Sequence, residues 1–180
     1  MKKWMIAVVA AFLALPAMAQ EDSLKDLPGY VDFGELSNIY GDPKVMINIG
    51  GYLLNFVAAA TKDDPETAEI IKGLKGVRVN IYSTDGNTTP AMQQVDKVKG
   101  MLKKGAWEPI VQVNDEGEQV QIFLKVQGDQ MQGMTVMAVD DEEAVFLNII
   151  GMIDPKHLEQ VMNKFDVHLD GDLDAKVKVK

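Results

Sequence analysis

From Trp107 to Ile153 the chain holds four strand-length runs, EPIVQVN, EQVQIFLKV, MQGMTVMAV and EEAVFLNIIGMI, separated by Asp115-Glu116-Gly117, Gly128-Asp129 and Asp140-Asp141-Glu142. Polar turns this short reverse the chain, so each run has to pair antiparallel with the next, and the segment predicts a meander. In the second run Val120, Ile122, Leu124 and Val126 share a face opposite Gln121 and Lys125. In the last, residues Ala144 to Ile150 are apolar on both faces apart from Asn148, which suits a central strand or one covered on both sides. Asp154-Pro155 then predicts a closing helix with Leu158, Val161, Met162 and Phe165 on its buried stripe.

Upstream, strand and helix patterns alternate. Residues 20–43 carry Pro28, Gly29, Gly34, Gly41 and Pro43 around one short extended piece at Tyr30 to Phe33, an irregular lead-in. Val45, Ile47 and Ile49 alternate with Met46 and Asn48, which predicts a strand over 44–49. After a Gly50-Gly51 bend, the almost wholly apolar stretch Tyr52 to Ala60 predicts a buried helix reaching about Thr61. Asp64-Pro65 starts a second helix, PETAEIIKGLK, expected to stop near Gly76. Val77, Val79 and Ile81 then form one strand face, with Arg78, Asn80 and Tyr82 on the other. These two strands are expected to be parallel neighbours with a right-handed crossover. Thr89-Pro90 repeats the cap-then-proline signature, with Thr89 as N-cap and Met92, Val95, Val98 and Leu102 at helical spacing before Gly105.

The fold class is therefore α+β: a mixed, mostly antiparallel sheet with helices packed on it, βααβα followed by the four-strand meander and a closing helix. No internal repeat is visible. The expected organisation is a leader at 1–19, the lead-in at 20–43, a single α+β domain at 44–166 and a tail at 167–180.

The leader has a simple physical signature. In MKKWMIAVVAAFLALPAMAQ, two lysines precede an uncharged apolar run from Trp4 to Leu15, followed by Pro16 and the triplet Ala17-Met18-Ala19. That pattern is a secretory signal peptide, with Ala17 and Ala19 forming the cleavage site and Gln20 becoming the new terminus. The run is shorter than the roughly 20 residues of a membrane span, so no stable membrane insertion is expected after cleavage. There is no cysteine to carry a lipid or form a disulfide. The expectation is a soluble periplasmic or secreted protein. Loss of Lys2 and Lys3 from the 18 basic residues leaves 16 against 27 acidic ones, a formal charge of −11. Such a chain repels phosphate backbones, so nucleic acid is not an expected partner.

Candidate chemistry is sparse. The stretch GVRVNIYSTDG places Ser83, Thr84 and Asp85 after a strand, but a serine nucleophile needs a base, and the histidines are His157 and His168, with no G-x-S-x-G elbow around Ser83. Turn and cap chemistry accounts for the loop. Met131, Met134 and Met137 carry thioethers suited to Cu(I), and they converge only if Gly133 makes a bulge; otherwise they are adaptable core residues. Asp140 to Glu143 reads as a solvated hairpin tip, and DGDLD at 170–174 lacks the glycine and glutamate of a calcium loop. His157 falls in the first turn of the closing helix and reads as a surface residue. From Val167 to Lys180 charged and apolar residues alternate strictly, which leaves three readings: a frayed terminus, a strand docked on its own sheet, or a strand added to a partner's. No catalytic residue, cofactor or metal site is assigned.

The phrases GYVDFGEL, VMINIGGYLLNFVAAA, DPETAEIIKGLKGVRVNIY and DDEEAVFLNIIGMID together resemble the bacterial exported family known as domain of unknown function 4252, over roughly Gly29 to Phe165. The resemblance implies an exported protein, in some members lipid-anchored and in some encoded near extracytoplasmic sigma-factor genes. This chain lacks the lipobox cysteine of the anchored members. The family has no established catalytic residues to carry over. The expected role is thus a non-enzymatic envelope protein that binds another envelope component, a protein. Two alternatives stay open: soft-metal handling by the methionines, and a small enzyme working through carboxylates such as Asp85.

Overall fold

A computed structural model describes residues 23–61, 65–115 and 117–153. Its elements follow the order α1 Ser37–Tyr40, β1 Val45–Gly50, α2 Gly51–Ala60, α3 Pro65–Gly73, β2 Leu74–Ser83, α4 Thr89–Lys104, β3 Trp107–Asp115, β4 Glu118–Gln127, β5 Gln130–Val139 and β6 Glu143–Ile153. The strands form one open sheet in the order β1-β2-β6-β5-β4-β3. The class is α+β, and the meander β3 to β6 pairs as its turns require.

Every pairing in this sheet is antiparallel, including β1 with β2, where Gly50 faces Gly76 and Val45 faces Ile81. The expected parallel crossover is therefore wrong. The connection holds two helices that pack on each other, so the chain travels out along α2 and back along α3. An even number of passes returns it to the end of the sheet it left, whereas one helix would have delivered it to the other. The second helix also stops earlier than expected: Leu74 and Lys75 already belong to β2, across a bulge before Gly76. Gly151 of β6 lies against this bend. Its backbone sits so close to this bend that a Cβ there would lie 2.8 Å from the Leu74 Cα.

Alternation gives the sheet two buried faces. On one, Val77, Val79 and Ile81 of β2 join Leu147 and Ile149 of β6 and Val120 and Ile122 of β4, with Leu54 of α2 and Ile70 of α3 against them. On the other, Ala91, Val95, Val98 and Leu102 of α4 pack on Phe123, Met137 and Phe146. β6 lies third in the sheet and is buried on both sides, as its continuous apolar run requires.

The lead-in is irregular apart from the single turn of α1, and its described part belongs to the second core: Val31, Phe33 and Leu36 are buried there. Asn148, the polar exception of β6, is what binds it. Its side-chain carbonyl accepts the Val31 N–H at 2.9 Å, and its amide donates to the carbonyls of Gly29 at 2.9 Å and Met134 at 3.2 Å. Arg78 adds a bond to the Val31 carbonyl at 2.9 Å and lies 4.6 Å from the centre of the Tyr30 ring. Gly133 lets the backbones meet, since a Cβ there would fall 2.7 Å from the Gly29 Cα.

The start of α4 differs by one residue from expectation. Thr88, not Thr89, is the N-cap, and its side chain makes no capping bond because its backbone is already helical, with φ −76° and ψ −25°. Tyr40 takes over: its hydroxyl accepts the Ala91 N–H at 3.0 Å and donates to the Asn87 carbonyl at 2.6 Å.

Candidate interaction surface

α2 forms where GYLLNFVAAA predicts a helix, but the helix is not buried. Leu54 is its one buried side chain, while Tyr52 is 89 % and Phe56 71 % exposed. At 100° per residue these two aromatics lie one turn apart on the side opposite Leu54. A helix apolar on every side fits an interior that covers it all round. Here the sheet and α3 cover one side, and that is the physical reason the expectation of a buried helix fails.

β1 extends the same surface. Among the described residues it is an edge strand with β2 as its one neighbour. Val45 and Ile47 stand opposite Ile81 and Val79, hence on the α2 side of the sheet, and both stay exposed. Met46, on the other side, is 68 % exposed. From Val45 through Ala60 no residue is Asp, Glu, Lys, Arg or His. Weighting the large side chains on the α2 side by their exposure gives roughly 650 Å² of apolar area, above the roughly 300–600 Å² of the largest patch on an ordinary monomer. Charge returns at the border, where the Lys44 ammonium donates to Glu143 at 3.0 Å. That bond and the carboxylate's charge raise the Lys44 pKa.

The residues first considered for chemistry are accounted for by the fold. The Ser83 hydroxyl donates to the Asp85 carboxylate at 2.9 Å, the Thr84 hydroxyl to the Asp140 carbonyl at 3.0 Å, and the Gly86 N–H to the Asp141 carbonyl at 2.8 Å. This loop therefore docks onto the β5–β6 turn, where the Asp140 carboxylate accepts the N–H groups of Glu142 and Glu143 at 2.9 and 2.7 Å. Among the described residues no three His, Cys, Asp or Glu side chains gather as a metal site would need.

The bulge at Gly133 does exist, since Lys125 faces Gly133 but Val126 faces Met131. It brings Met131 and Met134 into the first core and sends Met137 to the second, across the sheet, with all three at most 2 % exposed. Ala17, Ala19, Gln20, Asp64, His157, His168, the DGDLD stretch, the closing helix and the tail at 167–180 lie outside the described residues.

Two features escaped the sequence reading. One is a buried amide row: Gln121 accepts from Gln112 and donates to Asn114, both at 3.1 Å, while Gln119 donates to Asp96 of α4 at 3.3 Å. It ties β3 and β4 to α4, and the strand alternation that places Gln119 and Gln121 inward was legible. The other is the exposed apolar surface itself, whose signal was sixteen consecutive residues without a charge.

Among the described residues no helix is long and apolar enough to cross a membrane. No curated protein and no solved structure matches the chain. Residues 40–161 match the family model described as Domain of unknown function (DUF4252), and the chain belongs to that family, as its phrases implied.

Proposed function

We propose that this chain is an exported, non-enzymatic protein of the bacterial envelope that works by binding another envelope component, a protein, through the surface made by α2 and β1. The observation that carries the reading is the outward pair Tyr52 and Phe56 on a helix with no charged side chain. Large apolar surface left open to water marks an interaction site. Export rests on the leader pattern, and a setting in envelope stress signalling rests on the family resemblance. The surface has no lysine or arginine between Val45 and Ala60 to meet a phospholipid headgroup. The copper alternative needs converging thioethers and gains no support, because Met137 points away from the other two.

Photo-crosslinking side chains placed at Tyr52 and at Phe56 in intact bacteria test the reading, with Ile110, 52 % exposed at the far edge of the sheet, as the control position. Adducts that form from the two α2 positions and not from Ile110 are expected. Equal adducts at all three positions, or none, would remove the basis for the proposal.

A further inference from the structure

The proposed function leaves the partner open, and the following inference rests on it while naming one. We infer that the surface binds a second copy of this chain: β1 pairs antiparallel with β1 of the copy about a two-fold axis normal to the sheet, and the two α2 helices flank the seam. Three observations converge on that occupant.

The first is the edge itself. β1 pairs with β2 in unbroken register from Val45 to Gly50, with no proline, no bulge and no charged residue along it. Among the described residues its outer row of backbone donors and acceptors is thus an open template for another strand, of the kind proteins usually block. The second is self-complementarity. A two-fold contact sets a patch against itself, so groups at the axis meet their own copies and a charge there meets a like charge; a patch free of charge from residue 45 to residue 60 has no such conflict at any placement of the axis. A charged partner, conversely, would find nothing there to pair with. The third is size. The roughly 650 Å² of open apolar area on the α2 side, with Met46 across the strand, approaches the roughly 800 Å² of one side of a standard protein interface.

The geometry is consistent with the fold. All neighbours in the sheet are antiparallel, and a two-fold axis normal to it generates one more antiparallel pair, giving a continuous sheet through both copies. The same rotation keeps each face on its own side, so both α2 helices stand on one face beside the seam. Tyr52 and Leu53 follow β1 directly through the Gly50-Gly51 bend, which places them next to the joined strands.

Sedimentation of the protein purified after export, over a range of concentrations, tests this. The expected result is a dimer that dissociates on dilution, with Phe56→Glu and Ile47→Lys each weakening it by about tenfold or more. Both side chains are exposed, so far-ultraviolet circular dichroism should stay that of the parent and separate lost association from lost folding. Because the chain has no cysteine, single cysteines at 45, 46, 47 and 48 add a register test: disulfide-linked dimers should form from the positions nearest the two-fold axis and not from Ile110→Cys. A monomer at all concentrations, or a dimer that ignores both substitutions, overturns the inference. If that monomer still gives Tyr52 adducts to a different envelope protein, the binding surface stands and only the choice of partner falls; if it gives none, both fall.

Discussion

At one edge of the sheet β3 carries Pro109, a bulge between Pro109 and Val111, and the charges of Glu108 and Asp115; at the other, β1 offers Val45 to Gly50 in unbroken register with none of these. Proline removes a donor, a bulge bends the ladder, and a charge resists burial, so β3 is built against pairing. The helices beside the two edges differ in the same sense. α4, near β3, turns Ala91, Val95, Val98 and Leu102 inward and leaves Lys103 and Lys104 at its end, whereas α2, near β1, shows Tyr52 and Phe56 to solvent. One protein thus contains both a protected edge and an open one. Apolar side chains are exposed singly elsewhere, as at Met101 and Ile110, but at β1 and α2 they cluster beside an edge that nothing in its sequence blocks.

The largest effect that would sharpen this contrast compares two phenylalanines. Phe146 is fully buried in the central strand, and Phe146→Ala should cost ~3–5 kcal/mol of folding stability, read from denaturant midpoints. Phe56→Ala should change the stability of the dilute protein by no more than about 0.5 kcal/mol. A comparable loss for both would mean that α2 is covered by the chain itself and would break the comparison.

Asn148→Ala should come next. It removes the acceptor for the buried Val31 N–H and the donor to the Gly29 and Met134 carbonyls, at a cost of ~2–3 kcal/mol. Amide exchange should show Val31 losing protection before the strands do. At the protected edge, Pro109→Val restores a backbone donor. Folding stability should move by less than about 0.5 kcal/mol, while concentration-dependent light scattering should rise, and no rise would show that proline is not what guards β3.

The smallest effect is alkaline. Lys44 holds its proton above the ordinary 10.5 because of the Glu143 hydrogen bond and charge, so this contribution is complete at neutral pH and is lost as pH rises past 10.5. Burial raises the Tyr82 phenol above 10.0, so the unfolded chain ionises first and stability also falls as pH climbs beyond that value. Unfolding midpoints followed from neutral pH to about 11 should decline, with Lys44→Met and Tyr82→Phe each flattening part of the decline.

Much of this architecture was readable from residue patterns because it is local. The β3–β6 meander follows from alternation and two- or three-residue turns, and the two-sided burial of β6 from the run around Asn148. What escaped depends on distant parts of the chain. The direction of β2 turned on whether α2 and α3 fold back on each other, which residue spacing does not encode. The cap of α4 comes from Tyr40, 51 residues before the Ala91 it binds. Hydrophobic content told that α2 is a helix seeking cover, but not that the protein leaves it uncovered; apolar periodicity reports a preference, and the number of layers available decides whether it is met. For the candidate surface, the uncharged stretch was in view and its exposure was not.

Methionine oxidation in living cells measures the central claim most directly, because Met46 lies on the edge strand β1 at 68 % exposure and Met101 lies on α4 at 44 %. In dilute purified protein both should oxidise readily, Met46 the faster. Inside the cell the account predicts that Met46 is shielded while Met101 reacts as before. Equal reaction of the two in cells and in dilute solution would show the β1 edge bare where the protein works, and would contradict it.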